Sequence, residues 1–441
     1  MGKDGLMGRL LGSADKFTDK QIAETLAMLV ANGVARGATD IHIEPHERFV
    51  LVRYRIDGNL RGIHKLPRAS LTTVMAQLKT LAGLNDQETR APQEGTYTSK
   101  SDEGQLTVRI ATMPVFGGEK AVLHLSVSHG TPLSLENLGF WGKGLATLQH
   151  VLTSPAGLVL VAGPKHGGVS STLLSLVNAL NSPLVNIATV EPQQKHRLPG
   201  VNQTYLGDSG NLTIATGLKA ALKQDPNIIM LSNIPDSDTA ALAVHAATTG
   251  HLLLAGLHAD NSIQALLRVR AAGVEPFLLV TCLRASVGQR LVRTLCPDCR
   301  VRYALSRDEQ KELAQSFGIT GVSAYKRIHE LESQIAPAIF GDVKQLSSTA
   351  SNITHLWRPS EAGCDTCDRT SYKGRTAIVE VLENTDSLRK NLMDRDTHSS
   401  TTLQTAALKD GFVPMALDGL VKALRGQTTV AEVLRAVASV A

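Results

Sequence analysis

The chain has 441 residues, of which 43% are hydrophobic, and this is enough for two or three globular domains with their own cores. Its 45 basic and 40 acidic residues are interspersed and leave a net charge of +5, so we expect no nucleic-acid partner. No run of 18 or more apolar residues occurs, and the first twenty residues lack the apolar core of a signal peptide. These features predict a cytoplasmic protein.

A flexible arm is predicted at residues 1–20, followed by a first domain at residues 21–130. Apolar residues at helical spacing alternate there with short segments of period two, which is typical of an α+β module. The pair Asp57-Gly58 closes one of these segments and predicts a hairpin turn. The patterns predict helices at 19–35 and 70–84 and strands at 41–43, 51–56, 106–110 and 121–125.

The second predicted domain, residues 134–295, alternates buried strands with helical stretches, which is typical of a parallel sheet with crossover helices. Strands are predicted at 158–162 and 228–231. Directly after the first strand, the residues from Gly163 to Ser170 fit the phosphate-binding pattern GxxxxGK[S/T] at every fixed position except the lysine. Val169 stands at that position, and a helix over 170–180 is predicted to follow.

The five cysteines do not indicate a disulfide framework in a cytoplasmic chain of this size. Four of them form two Cys-x-x-Cys pairs, which predict a tetrahedral Zn²⁺ site in a subdomain at residues 296–370 with a long insertion. The alternative is four free thiols. Cys282 is expected in the core, and residues 371–441 are predicted to be a helical C-terminal region. The predicted zinc ligands are Cys296, Cys299, Cys364 and Cys367.

Further strings stand in a fixed order along the chain, at 40–45, 53–58, 249–251, 257–261, 289–293 and 372–375. Asp40 to Pro45 reads DIHIEP, Arg53 to Gly58 reads RYRIDG, and Leu257 to Asn261 reads LHADN. In this order they resemble strings of the type II secretion and type IV pilus assembly ATPases, a hexameric family of RecA-like motors. The chain is expected to lack the N-terminal docking domain that longer members carry.

The resemblance implies an α/β fold in which a RecA-like P-loop domain with a parallel sheet follows a smaller, PAS-like α+β domain. A zinc-binding tetracysteine subdomain and a helical C-terminus complete it. The implied cofactors are ATP, Mg²⁺ and Zn²⁺. The implied assembly is a homo-hexamer, or a mixed ring with an active paralogue, bound peripherally to a platform protein at the cytoplasmic face of the inner membrane.

The resemblance also implies site residues. The nucleotide-binding set comprises Gly163, Gly167, Gly168, Val169, Ser170, Ser171, Arg53, Arg55 and Arg109, and the catalytic set comprises Glu191, Asn233, His251 and His258. We expect both histidines after a buried strand and before a helix. The alternative for each of them is an ordinary core histidine.

Three catalytic positions depart from the family in charge. In the acidic box, which aligns with residues 189–195, only Glu191 keeps its carboxylate and Lys195 inverts a charge. Val169 replaces a lysine that would contact the β and γ phosphates, and Asn233 replaces a catalytic glutamate. Lys165 or His166 could instead supply the missing cation. The pattern predicts a motor subunit that binds ATP weakly and is impaired in hydrolysis; the alternative is a non-hydrolysing scaffold or regulatory paralogue.

Charged residues on the strands of the first domain could be an ordinary sheet surface rather than a binding site. Asp40, His42 and Glu44 alternate along one strand and could mimic a metal site, but we expect a solvated strand face. Arg53 and Arg55 also share a face, so an ordinary sheet surface is the alternative to phosphate binding for this pair.

Overall fold

The computed structural model describes residues 18–101, 104–128, 132–192, 197–206, 212–334, 352–394 and 399–438. The chain divides into two compact units between residues 130 and 131, and Arg197 groups with the first unit. Residues 1–17 of the predicted flexible arm lie outside the described residues. Its last three positions open the first helix, where Thr18 accepts a hydrogen bond from the Gln21 N–H at 3.4 Å and forms a capping box.

The first unit is a six-stranded antiparallel sheet with two helices on one face. Its elements are α1 (Asp19–Ala35), β1 (Ala38–Pro45), β2 (Phe49–Ile56), β3 (Asn59–Pro67), α2 (Leu71–Leu81), β4 (Gln93–Ser101), β5 (Gly104–Val115) and β6 (Gly118–Ser128). The strand order is β3-β2-β1-β6-β5-β4.

Alternation along the strands decides which face is buried. Buried and partly exposed residues alternate through β2, and its buried residues pack with α1 and α2. The predicted hairpin between β2 and β3 is present, with Asp57 at φ 50° and Gly58 at φ 85°. Positive φ at both central residues is the geometry of the turn that matches strand twist.

The second unit contains a seven-stranded sheet in the order β15-β12-β7-β11-β10-β8-β9, in which β15 spans Tyr372–Glu383. The strands from β12 to β9 are mutually parallel, and β15 joins antiparallel to β12. Its strands and crossover helices are α3 (Leu135–Leu138), α4 (Gly142–Val151), β7 (Gly157–Gly163), α5 (Val169–Leu180), β8 (Ile187–Glu191), β9 (Asn202–Tyr205), α6 (Ile214–Ala221), β10 (Ile228–Leu231), α7 (Ser237–Thr248), β11 (Leu252–His258), α8 (Ser262–Ala271), α9 (Pro276–Cys282) and β12 (Leu283–Leu295).

The sheet is buried on both faces, as parallel sheets require. Along β7, Leu158 and Leu160 belong to one core cluster, whereas Val159 and Val161 belong to the cluster on the other face. This is why the predicted strands read as continuous apolar runs. Cys282 lies in the first of these cores, 2% exposed, as predicted.

The chain after β12 is more regular than its composition indicates. Its elements are β13 (Val301–Ala304), α10 (Arg307–Ser316), α11 (Gly321–Ser333), β14 (His355–Arg358), β15 (Tyr372–Glu383), α12 (Asp386–Met393), α13 (Ser400–Lys409), α14 (Met415–Leu424) and α15 (Val430–Ala438). The predicted insertion thus contains two helices with their own apolar contacts. The predicted helical C-terminus opens on β15, a strand that extends the central sheet. Within the described ranges, no helix combines the length and apolarity needed to span a membrane.

Candidate nucleotide site

A strand-to-helix loop forms a cradle at the carboxyl end of β7. Gly163 ends the strand, and α5 begins at Val169 after Gly168, which has φ 86°. His166 has φ 65°, and the Gly167 N–H donates to the Pro164 carbonyl at 2.8 Å. The loop places the N-terminus of α5 at the carboxyl end of β7, and the N–H groups of a helix N-terminus can bind anions. The predicted strand-to-helix context of the glycine-rich motif is therefore present.

Val169 directs no charge into this cradle. Its side chain is partly buried and packs against the apolar cluster beneath α5. The Val169 Cγ2 atom lies 3.1 Å from the position that a Cβ on Gly163 would take, so the valine also closes the base of the loop. Lys165 and His166, the alternative cations, are exposed on the loop.

Three of the predicted catalytic residues share the carboxyl edge of the sheet with the loop. His258 ends β11 and pairs in register with Gly163. Asn233 follows β10, whose last residue, Leu231, is in register with Val190 of β8. Glu191 is the next residue and ends β8. Since ligands of parallel α/β sheets bind at this edge, the arrangement suits one site.

The carboxylate of Glu191 is buried and held by hydrogen bonds. The side chain is 4% exposed, and its Oε1 accepts hydrogen bonds from Thr189 at 2.8 Å and from Gln203 Nε2 at 3.2 Å. Hydrogen-bonded oxygens of this kind are suited to a divalent cation or its water shell.

His251 lies elsewhere. It precedes β11 rather than following a strand, so the expectation of a histidine after a buried strand is wrong for this residue. Its Nδ1 lies 2.8 Å from the Pro226 carbonyl at the beginning of β10. The seven residues of β11 therefore separate His251 from the cradle edge, and within the second unit the contact it makes is structural.

The predicted phosphate-binding arginines lie on the open face of the first unit's sheet. Arg53 and Arg55 each meet a carboxylate of β1, at 2.7 Å from Glu44 and 3.4 Å from Asp40 respectively. Arg109 pairs with Glu94 at 2.9 Å. Each guanidinium is thus held by an acid of its own unit.

The same contacts correct the prediction of a solvated strand face. The side chains of Asp40, His42 and Glu44 are 7%, 11% and 12% exposed, because neighbouring long basic side chains cover them. Burial raises the pKa of Glu44, but hydrogen bonds from Arg53 and Lys120 outweigh it and lower the pKa to about 2. Burial also lowers the pKa of His42, with Lys120 contributing. This is a charge network rather than a solvated surface.

The four predicted zinc ligands converge. Their sulfur atoms all lie within 4.8 Å of one another, with Cys296–Cys364 at 3.6 Å and Cys299–Cys367 at 3.8 Å. Four sulfurs at a Zn–S distance of about 2.3 Å in a tetrahedron would be roughly 3.8 Å apart. Burial raises the pKa of Cys296 and of Cys299, whereas at Cys367 burial is outweighed by N–H donors from Cys364 and Ser371, which lower the pKa to about 6. The donor set and spacing therefore fit Zn²⁺.

The structure also brings in two residues that the sequence analysis did not assign to the site. Gln289 of β12 and Thr172 of α5 are both buried beneath the loop and hydrogen-bond to each other at 2.7 Å. The only sequence signal was the position of Gln289 at the start of the 289–293 string.

Comparison with known proteins agrees with this architecture. The sequence profile of the family described as "Type II/IV secretion system protein" matches residues 15–435. The chain is 34% identical over 421 residues to the type II secretion system protein E of Aeromonas hydrophila, covering 96% of this chain and 76% of that protein. It is also 34% identical over 423 residues to the type IV pilus assembly ATPase PilB of Thermus thermophilus, covering 96% of this chain and 43% of that protein.

Solved structures support the fold. The chain is similar to the ATPase DotB of Legionella pneumophila with a TM-score of 0.66 at 16% identity, and the match covers 98% of each chain. At that identity the likeness concerns the fold alone. The profile match and the identities show more: the chain belongs to the type II/IV secretion system protein family, among the secretion and pilus assembly ATPases.

Proposed function

We propose that the chain is a subunit of a hexameric motor of this family that binds ATP weakly and is impaired in hydrolysis. The observation that carries the proposal is a complete backbone cradle whose lysine position holds Val169, with Asn233 at the glutamate position of the same sheet edge. In this proposal the loop keeps a backbone suited to a triphosphate, whereas two reactive charges of the site are replaced.

The residues of the loop would still bind ATP, but more weakly than a loop that carries the lysine. Backbone N–H groups of residues 168–170 would hold the phosphates, and the Ser170 hydroxyl and Glu191 would hold Mg²⁺ or its waters. The helix N-terminus contributes about 0.3–2 kcal/mol, whereas losing a hydrogen bond from a charged donor costs about 1.5–3 kcal/mol. We therefore infer binding that is weakened rather than abolished.

We expect the replacements to reduce ATP hydrolysis more than they reduce ATP binding. A carboxylate at position 233 would accept a proton from the attacking water, and the neutral amide of Asn233 cannot do so. Loss of a general base typically lowers the rate by a factor on the order of 10² or more. His258 lies at the same edge and in register with the loop, where it could contact the terminal phosphate.

A second candidate is a non-hydrolysing scaffold or regulatory subunit that joins an active paralogue in a mixed ring. The favouring observation is the same selective replacement, since a ring member that only donates groups to a neighbour needs no general base of its own. In either case we propose a cytoplasmic protein, peripheral at the inner membrane and bound to a platform protein.

The test restores both charges. Nucleotide affinity and phosphate release are measured for the wild type and for the Val169→Lys/Asn233→Glu variant, with Val169→Met/Asn233→Gln as an uncharged control of similar size. We expect slow release by the wild type and at least a ten-fold rise in the restored variant alone. Brisk hydrolysis by the wild type that the restored charges do not increase would contradict the proposal.

A mixing experiment separates the two candidates. Particle size with MgATP shows whether the chain alone assembles into a hexamer, which the motor proposal expects. Assembly only after an active relative is added would favour the mixed ring, and no assembly in either case would contradict both.

A further inference from the structure

Gln289 connects the phosphate loop to the neighbouring strand. Its side chain is 1% exposed. The amide Nε2 donates to the Gly167 carbonyl at 2.8 Å, and the amide Oε1 accepts from the Thr172 hydroxyl at 2.7 Å. One buried amide thus contacts the loop before the helix and the first turn of the helix after it.

The glycines of the loop make this contact close. A Cβ on Gly168 would lie 2.8 Å from Gln289 Nε2, and one on Gly163 would lie 2.8 Å from the Gln289 carbonyl oxygen. Since real Cβ atoms are not found at such distances, both glycines allow the loop to lie directly on β12. The phosphate loop and β12 are therefore in direct van der Waals contact.

The loop needs such a holder because its backbone is not at an ordinary minimum. His166 has φ 65°, a left-handed conformation that is uncommon and unfavourable for a residue with a Cβ atom. At the lysine position, Val169 has no cation through which a bound phosphate could organise the loop. The conformation must then be set by contacts inside the protein.

We infer that Gln289 is a positioning residue that holds the phosphate loop in its binding conformation before nucleotide arrives. The inference rests on the proposed nucleotide binding and extends it to a residue outside the phosphate-binding motif. A loop that is already ordered avoids the loss of affinity that follows when only a fraction of molecules are competent to bind. Gln289 acts through the loop and need not touch the nucleotide.

The test uses the full chain with Gln289→Met, which keeps the side-chain length but removes both hydrogen bonds. The control is Leu283→Ala on the same strand, a fully buried residue that belongs to the core on the other face of the sheet and pairs with Leu158, away from the loop. For each protein we measure the thermal midpoint, the dissociation constant for MgATP, and amide hydrogen exchange across residues 163–170 without nucleotide.

We expect Gln289→Met to raise the dissociation constant about ten-fold, the effect of about one buried hydrogen bond. Exchange in the loop should become faster in the same variant. Leu283→Ala should lower the thermal midpoint with the loop exchange and the dissociation constant unchanged, so a general loss of stability would not imitate the effect.

A second variant covers the case in which Gln289→Met does not fold. Thr172→Val removes only the donor to Gln289 Oε1, and we expect a smaller change in the same direction, about three-fold. If the folded variants keep wild-type affinity and wild-type loop exchange, the inference is overturned. If the wild type itself binds no MgATP, the proposed function fails, and the exchange comparison alone then decides whether Gln289 holds the loop.

Discussion

Lys422 and Asp418 form an ion pair at 2.7 Å one turn apart on α14, and both side chains are almost fully buried, at 0% and 5% exposed. The Lys422 ammonium also donates to the Gly139 and Ala377 carbonyls, and Asp418 accepts from the Val379 N–H at 2.9 Å. The pair therefore ties α14 to β15 and to the turn after α3, inside the second unit.

Removing only the cation of this pair should destabilise the protein severely. Lys422→Met leaves the Asp418 carboxylate buried without its partner, and we expect a loss of about 3–5 kcal/mol in the free energy of unfolding, measured in urea. The double variant Lys422→Met/Asp418→Leu should lose less. As the exposed control, Arg389→Met removes a pair at 3.1 Å with Asp386 and should change stability by less than about 1 kcal/mol.

Zinc content should depend on the tetracysteine cluster. We expect about one zinc ion per chain by elemental analysis, and Cys364→Ser should lower both the zinc content and the thermal midpoint because four ligands close a structural site. Cys282→Ser is the matched control, since Cys282 is buried in a core apart from the cluster. Equal zinc loss in both variants would argue against the assignment.

Gly168→Ala should affect the loop in two ways. The φ of 86° costs an alanine roughly 1–2 kcal/mol, and contact with Gln289 Nε2 at 2.8 Å adds roughly 1–3 kcal/mol of overpacking. Gly273→Ala isolates the first cost, because Gly273 has φ 88° with no atom within 4 Å of its Cβ position. Unfolding free energies that fall equally in the two variants would show that the loop is looser than described.

The ion pairs of Glu44 should make stability depend on pH in the acidic range. The folded-state pKa of about 2 lies below the ordinary value of 4.5, so the stabilisation is complete above about pH 4.5 and is lost as pH falls toward 2. The difference in unfolding free energy between the wild type and Glu44→Gln should therefore shrink from pH 6 to pH 3. A difference that stayed constant or widened would contradict the assignment.

Local patterns were sufficient for much of the fold. The helix at α5 and the buried strands β7 and β10 were predicted nearly to their ends, because 3.6-residue and continuous apolar patterns are local properties of the chain. β15 was missed since its partner, β12, lies far away in sequence. The two helices after β13 were missed because their sequences are mostly polar and each buries few apolar residues.

The candidate site divides in the same way. The sequence by itself determined the glycine pattern of the cradle, the missing charges at Val169 and Asn233, and the four thiols, because residue identity carries that chemistry directly. Only the tertiary structure decided that Gln289 lies beneath the loop, that His251 lies at the far end of β11, and that Asp40 and Glu44 are covered by arginines. Those facts depend on strand order and register, which distant pairings impose and no local period encodes.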